Sequence, residues 1–200
     1  MPAAYAAEQK REHLVRAAKR LLHAQGFERT TLANVAKKAK VPLGNVYYYF
    51  KTKEALAEAV IASHEADLLA MFGSWATAHR DPRLRLRRLV RAPLDSADAI
   101  IEFGCPHGSL CQELEKLGAH APLAKAGARL LAVYLDWAEQ QFRELDFTKR
   151  TANECAAALV ASIQGTMLLA HTLRSRDVLA AQLRRIERGL DVMLAEKEPA

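Results

Sequence analysis

The sequence of 200 residues has no long apolar run, and this argues against a membrane-spanning protein. No stretch approaches the roughly 18–20 apolar residues that a membrane-spanning helix needs. The N-terminus, MPAAYAAEQKREHLV, has no basic segment followed by an apolar one, so we expect no signal peptide. Half of the residues are apolar and 26% are charged, the balance of a globular protein. We therefore expect a cytoplasmic protein with no membrane partner.

Motifs typical of enzymes are also missing from the sequence. It has no glycine-rich phosphate-binding loop and no Gly-x-Ser-x-Gly turn, and its seven histidines lack the short-range spacing of metalloproteases. Three cysteines, an odd number, do not suggest a disulfide framework. We expect a protein that is not an enzyme and that carries no cofactor.

The net charge of +6 is confined to one part of the chain. Residues 1–60 contain 11 Lys and Arg and 5 Asp and Glu, an excess of +6, whereas residues 61–200 contain 18 of each sign. This asymmetry indicates a polyanionic partner for the N-terminal segment, although a solvated basic face would have the same composition.

Helical periodicity organises the start of the chain into three helices. Apolar residues between 14 and 22 form one stripe, and Gly26 is suited to end that helix. The Thr30-Thr31 pair offers an N-cap for a short second helix, which a break at Pro42 ends. A third helix is predicted over 43–49. Two short helices behind a longer amphipathic one are typical of a helix-turn-helix domain.

The third helix carries three consecutive tyrosines. At 100° per residue, Val46 and Phe50 define its core side and Tyr48 points directly away from the core. Tyr47 and Tyr49 lie on the two flanks. Phenolic hydroxyls can donate to phosphate oxygens, and the rings can pack against sugars and thymine methyl groups. The pattern predicts contact with nucleic acid, with the alternative that one or two of the tyrosines, Tyr47 first, are core aromatics.

The segment GFERTTLANVAKKAKVPLGNVYYYFKTKEAL resembles the DNA-binding domain of TetR-family transcriptional regulators. The similarity lies in Gly26-Phe27, Thr30-Thr31, Val35-Ala36, Val41 and the run from Gly44 to Glu54. The resemblance implies a homodimer that binds a palindromic operator in double-stranded DNA and leaves it when a small molecule binds.

The same resemblance implies which residues contact DNA. Tyr49 stands where the family often has histidine, so phosphate contact survives but its dependence on protonation does not. Leu43 is apolar where many members have a polar residue, so it offers a methyl contact with a base or none. The implied DNA contacts are Thr31, Leu43, Gly44, Asn45, Tyr47, Tyr48, Tyr49 and Lys53.

The remainder of the chain is predicted to be helical too. We expect an all-α fold of about nine helices. A three-helix helix-turn-helix domain would occupy residues 1–52, and a larger ligand-binding and dimerisation domain would occupy residues 53–200. Asp81-Pro82 suits a helix start, and the arginines that follow it indicate a solvated face. Later helices are predicted over 106–117, 121–145, 151–173 and 177–195.

The last two helices carry apolar seams with heptad-like steps. Such seams need partners, and two copies would form a four-helix bundle in a dimer. The pattern leaves open that the seams face the chain's own core, and the family resemblance favours the dimer. The seam residues are Ala156, Val160, Ile163, Met167 and Ala170, then Leu179, Leu183, Ile186, Leu190 and Met193.

A pocket for a small-molecule effector is predicted among the middle helices. An apolar cavity with a few polar groups is the usual form of such a site. The alternative for each residue is plain core or surface. The candidates are Trp75, Phe103, Leu110, Tyr134, Trp137, Gln164, Met167 and His171.

The segment GCPHGSLCQEL allows three interpretations of its cysteines. Pro106 at the first helical position would make Cys105 an N-cap, whose thiol pKa the helix dipole lowers. Cys105 and Cys111 would then be structural, or would sense oxidants or electrophiles. A metal site with His107 lacks a fourth ligand, so we predict none. The sequence therefore predicts a ligand-responsive transcriptional repressor, with a Cys105-based thiol sensor of the same fold as the alternative.

Overall fold

The computed structural model describes residues 3–118 and 120–195, and within these ranges it contains helices and no strand. The all-α prediction is confirmed. A 3-10 turn, Ala92–Ser96, separates α5 from α6. The α-helices are α1 Ala3–Arg29, α2 Leu32–Ala39, α3 Leu43–Tyr49, α4 Lys53–Ala78, α5 Pro82–Arg91, α6 Ala97–Phe103, α7 Pro106–Glu115, α8 Pro122–Glu144, α9 Lys149–Thr172 and α10 Arg176–Ala195.

The chain forms two compact units, and neither is continuous in sequence. The first unit comprises residues 1–67 and 106–130, and the second comprises 68–105 and 131–200. Helices α4 and α8 each contribute residues to both units. The division predicted after residue 52 is a functional one, and it stays a prediction. It does not coincide with the division by packing because α7 packs against α1.

Helix α1 supplies the core of the first unit and is interrupted near its end. Leu14, Ala17 and Ala18 are at most 2% exposed, as the apolar stripe predicts. Gly26 has non-helical angles, φ 82 and ψ 171, so the helical geometry breaks where the sequence predicts a helix end. The break lets the chain turn towards α2, which packs against both α1 and α3.

Helix α2 ends at Lys40, which has a left-handed conformation, so Pro42 is not the only residue that stops the helix. Lys40 has φ 56 and ψ 44, and its N–H and that of Val41 bond to carbonyl oxygens in the last turn of α2. This is the Schellman arrangement, in which glycine usually occupies the left-handed position. A lysine there strains the backbone, so the basic side chain is kept at a cost in stability.

The second unit contains the arginine-rich helix α5. Asp81 caps it as predicted, accepting a bond from the Arg83 N–H at 2.9 Å. The prediction of a solvated arginine face fails for Arg85, whereas the Arg91 side chain is 61% exposed. Arg85 is 8% exposed and pairs with Glu144 of α8, and further arginines pair with acidic residues of α10, against which α5 packs. Those α10 pairs are Arg87–Asp191 at 2.7 Å and Arg91–Glu187 at 2.7 Å.

The apolar seam of α9 faces the interior of the second unit, as do Leu179, Leu183 and Leu190 of the α10 seam, whereas Ile186 and Met193 of that seam are half-buried. Ala156, Val160, Ile163, Met167 and Ala170 are each at most 7% exposed, because α9 packs against α10 and α6 of the same chain. For α9 the packing therefore supports the alternative in which the seam faces the chain's own core. Heptad-like spacing shows that a helix face is covered but does not tell which chain covers it.

Helix α9 is the one helix of the described residues that is long and apolar enough in composition to span a membrane. Its 18-residue window has a mean hydropathy of 1.3, and 39% of that window is buried inside the protein. The core helix of a globular protein meets the same criteria, and α9 packs as such a helix within the second unit.

Candidate nucleic-acid interface and effector site

Helix α3 presents the tyrosine face that the sequence predicts. Val46 and Phe50 are 0% and 3% exposed, whereas Tyr48 is 74% exposed and Tyr47 is 47% exposed. Tyr49 is half-buried, and its ring meets that of Tyr48 edge to face at 4.9 Å between centroids. Leu43, Gly44 and Asn45 lie on the same exposed surface.

Thr31 is committed to capping α2. Its hydroxyl accepts from the Asn34 N–H at 3.1 Å and donates to the Asn34 side-chain oxygen at 2.9 Å. The Thr31 N–H also donates to that oxygen at 3.0 Å, completing a capping box. A phosphate contact by Thr31 would compete with this cap for the hydroxyl proton.

Lys53 has a structural role that the sequence does not indicate. Its ammonium group lies 3.3 Å from the Phe27 carbonyl oxygen and 3.5 Å from that of Glu28. It also lies 4.1 Å from the centroid of the Phe27 ring, within the range of a cation–π contact. If Lys53 also contacts a phosphate as predicted, its ammonium group would bind the phosphate and the carbonyl oxygens at the end of α1 at the same time.

Exposed lysines surround the tyrosine face. Lys37, Lys38 and Lys40 lie at the end of α2, and Lys51 follows α3. Positive side chains at the borders of an exposed helix suit phosphate contacts on either side of a groove. We call α3 and these lysines the basic face.

In the second unit, aromatic side chains form a cluster that includes three of the predicted effector residues. The Phe72 ring stacks on Trp137 at 4.3 Å and meets Trp75 and Tyr134 edge to face at 5.5 and 5.7 Å. The guanidinium of Arg88 lies 5.4 Å from the Trp75 ring centroid. We call Phe72, Trp75, Tyr134 and Trp137 the aromatic cluster.

Cys105 lies close enough to Tyr134 to affect the titration of its hydroxyl. Burial raises the pKa of the Tyr134 hydroxyl, and the Cys105 thiolate raises it further. Cys105 is half-buried and directly precedes α7, where the sequence predicts a cap. Its thiol is therefore near the aromatic cluster.

The other predicted effector residues have different surroundings. His171 of α9 bonds through Nδ1 to the Ile101 carbonyl oxygen at 3.1 Å, so it holds the end of α6. Met167 is buried, while Gln164 and Phe103 are half-buried in the same unit. Leu110 is in the core of the first unit and thus does not belong with the aromatic cluster.

Cys111 belongs to the packed interior of the first unit. It is 7% exposed, and its thiol donates to the Gly127 carbonyl oxygen at 3.1 Å. The cysteines at 105, 111 and 155 form no disulfide. Within residues 3–118 and 120–195, no three His, Cys, Asp or Glu side chains are grouped to hold a metal ion.

A half-buried histidine pair joins α4 to α7 in the first unit. Nε2 of His107 lies 3.1 Å from Nδ1 of His64, and the rings meet at 88°. Burial, then the neighbouring His107 and Lys19, lower the pKa of His64 to about 2. Burial and Lys19 lower the pKa of His107 to about 4. Both imidazoles are therefore neutral at pH 7.

Three residues at these sites, Phe72, Glu113 and His64, are not indicated by the sequence motifs. Phe72 shares a helix face with Trp75, three residues later, and that spacing was a usable signal. Glu113, which accepts a bond from the Phe27 N–H, and His64 lie far in sequence from their partners. Only the fold brings these pairs together.

Two family models match the chain. The model described as "Bacterial regulatory proteins, tetR family" matches residues 14–60, which contain α2, α3 and the basic face. The model described as "Transcriptional regulator LmrA/YxaF-like, C-terminal domain" matches residues 88–185.

Curated relatives and solved structures agree with these matches. The HTH-type transcriptional regulators BetI of Burkholderia ambifaria and Burkholderia cenocepacia are 38% identical over 96 residues, 48% of this chain and 50% of each relative. The chain thus spans about half the length of the curated relatives it matches. The regulatory protein TetR of Rhodobacter sphaeroides has a TM-score of 0.76 at 23% identity, covering 88% of this chain and 96% of that one. A TetR transcriptional regulator of Legionella pneumophila has a TM-score of 0.79 at 16% identity, covering 89% and 95%. These two structures share the fold, and with the matched family models they place the chain in the TetR family of bacterial transcriptional regulators.

Proposed function

We propose that the protein is a sequence-specific DNA-binding regulator whose basic face enters the major groove. The observation that carries this proposal is an exposed tyrosine helix in the segment that holds the whole +6 charge excess. Asn45 offers an amide that can pair with adenine, and Tyr47 and Tyr48 can donate to phosphates or pack on thymine methyl groups. Of the DNA contacts implied by the family, those of α3 belong to this face, namely Leu43, Gly44, Asn45, Tyr47, Tyr48 and Tyr49. Thr31, which caps α2, and Lys53, which begins α4, lie outside it.

Selection of bound sequences from random duplex DNA tests the proposal. Asn45→Ala is expected to weaken binding to the selected duplex by about 1–3 kcal/mol and to relax the preference at one base pair. The matched control is Lys51→Ala, which weakens selected and unrelated duplexes about equally because a phosphate contact carries no sequence information. Recovery of no preferred sequence would overturn the proposal.

We further infer that binding represses transcription and that a small molecule releases the protein from a palindromic operator. The aromatic cluster supports this inference, because its rings are buried or half-buried and the Arg88 guanidinium lies on one of them, an environment suited to an apolar or aromatic effector. A ligand screen for loss of binding to the selected duplex tests this, with Trp137→Ala expected to abolish the response while leaving DNA affinity intact.

The proposed dimer uses the face of α9 opposite its buried seam. Regulators of this family act as dimers, and the outer face of α9 carries exposed Leu169 and Leu173 in line with Gly165, Ser162 and Ala158. An open groove of about 420 Å³ beside it is lined by residues of α8, α9 and α10, among them Ile186 and Met193. Small residues beside exposed leucines suit close helix packing across a two-fold axis.

Sedimentation of charged variants tests this dimer face. Leu169→Glu is expected to yield a monomer, because a carboxylate would be buried without a partner. Leu84→Glu, at an exposed leucine of α5 in the same unit, serves as the control and should stay dimeric. Equal sedimentation of the two variants would remove this face from the proposal.

Release by thiol modification is the alternative mechanism. Cys105 is half-buried next to the aromatic cluster, whereas Cys111 is buried, and burial and Glu154 raise the pKa of the Cys155 thiol. The comparison is between wild type and Cys105→Ser with and without oxidant. Equal operator affinities in all four samples would leave the small-molecule mechanism alone.

A further inference from the structure

The break in α1 is held by side chains of two other helices of the first unit. Glu113 of α7 accepts a hydrogen bond from the Phe27 N–H. Lys53 of α4 donates to the Phe27 and Glu28 carbonyl oxygens and covers the Phe27 ring, which is 2% exposed. The amide and the carbonyl of one residue are thus held by a carboxylate and an ammonium. We call this set of contacts the Phe27 clamp.

Gly26 makes the space that the clamp needs. A Cβ at this position would lie 2.8 Å from the Glu113 Cδ and would overlap both carboxylate oxygens. Its φ of 82 is also a conformation that other residues adopt at a cost. The missing side chain therefore lets the Glu113 carboxylate reach the Phe27 amide, and the turn geometry points that amide at it.

The clamp lies directly before the DNA-contacting helices. The Thr30 hydroxyl donates to the Gly26 carbonyl oxygen at 2.7 Å, and Thr31 then caps α2. The path from Phe27 to α2 is therefore four residues long and hydrogen-bonded at each end. A shift of Phe27 passes to α2 and, through their packing, to α3.

We propose that Glu113 is a positioning residue for DNA recognition, whose bond to the Phe27 amide sets the angle at which α3 meets the major groove. The inference rests on the proposed DNA-binding function. Side chains that contact bases must be held within about 0.5 Å and 10–20° of the productive position. A change in one backbone turn can move them by more than this. Helices α4 and α7 hold the clamp, and the chain enters the second unit after the α4 residue Asp67 and leaves it before Pro106. A displacement of either helix thus acts on Phe27.

Two substitutions at one position separate positioning from charge. Glu113→Gln keeps a carbonyl acceptor for the amide, and Glu113→Ala removes it, while both remove the same negative charge. The probes are a duplex selected by the wild-type protein from random DNA and an unrelated duplex of equal length. Affinity is measured well below the unfolding temperature of each variant, so that stability does not contribute.

Glu113→Ala is expected to bind the selected duplex about fivefold more weakly than Glu113→Gln, since a hydrogen bond between uncharged groups is worth about that factor. The unrelated duplex should bind both variants equally. Hydrogen exchange at the Phe27 amide should be faster in Glu113→Ala than in Glu113→Gln. Should Glu113→Ala fail to fold, Glu113→Asp is compared with the wild-type protein, because both carry the carboxylate and Asp draws it back by one methylene, and weaker binding to the selected duplex is again expected.

The outcomes distinguish the two proposals. If the wild-type protein selects no sequence, the DNA-binding function fails and the positioning role fails with it. If it selects a duplex that both variants bind equally, the positioning role alone is overturned, and the exchange rate shows whether the bond exists. Faster exchange together with weaker specific binding in Glu113→Ala supports the role.

Discussion

Two basic clusters of this protein have opposite roles. The lysines around α3 in the first unit are exposed, whereas the arginines of α5 in the second unit are neutralised by acidic residues of α8 and α10. In sequence, both clusters consist of closely spaced cations. The difference teaches that a basic cluster indicates a polyanion only where the fold leaves its charges facing outward.

Breaking the inward cluster should have the largest effect on stability. Arg85→Ala leaves the Glu144 carboxylate partly buried without its cation and is expected to lower the free energy of unfolding by about 3 kcal/mol. Arg91→Ala removes a more exposed partner and should cost less than about 1 kcal/mol. Urea unfolding of both variants measures this, and equal costs would contradict the inward role of Arg85.

The histidine pair of the first unit contrasts with the exposed lysines of the same unit, because both imidazoles are packed against other residues and are neutral at pH 7. The folded pKa values, about 2 for His64 and about 4 for His107, lie below the ordinary 6.5. The unfolded chain therefore binds more protons below pH 6.5, and the free energy of unfolding falls as the pH drops. From pH 7 to pH 5 we expect a loss of about 2 kcal/mol or more from the pair.

Variants that keep hydrogen-bonding atoms without titrating provide the control. In the double variant His64→Asn with His107→Gln, an amide nitrogen of one side chain and the amide oxygen of the other take the places of the paired ring nitrogens. Unfolding measured between pH 7 and pH 5 should then lose most of this pH dependence. A slope equal to that of the wild type would show that other groups cause it.

Lys40 tests whether a lysine of the basic face lowers the stability of the protein. Its φ of 56 favours glycine, so Lys40→Gly should raise the free energy of unfolding by about 0.5–1 kcal/mol. The same change removes a cation of the basic face and should weaken DNA binding. A variant that is less stable, or that binds DNA more tightly, would contradict this account.

Lys51 and Lys53 should give the smallest and most diagnostic contrast. Lys51 is exposed, so Lys51→Ala should leave stability within about 0.5 kcal/mol of wild type. Lys53→Ala also loses the contacts with Phe27 and Glu28 and should be less stable by about 1 kcal/mol. Thermal unfolding separates the two lysines, and equal midpoints would remove the structural role of Lys53.

The sequence predicted the fold best where local rules decide. Tyrosine exposure on α3, the helix break at Gly26 and the Asp81 cap follow from periodicity, backbone freedom and side-chain length. The inward seam of α9 and the arginine pairs of α5 were not predictable, because they depend on which helix lies opposite. Glu113 and Phe27, 86 residues apart, show the same limit for single contacts.

The basic face as the DNA-contacting surface is tested most directly by the salt dependence of binding to a selected duplex. For the wild-type protein, log affinity should fall linearly with log salt, with a slope of about −0.9 for each phosphate contact. Lys51→Ala should reduce that slope by about 0.9, and Asn45→Ala should leave it unchanged while weakening the selected duplex alone. An affinity independent of salt, or equal slopes for wild type and Lys51→Ala with no loss of specificity in Asn45→Ala, would contradict the assignment of this face to DNA.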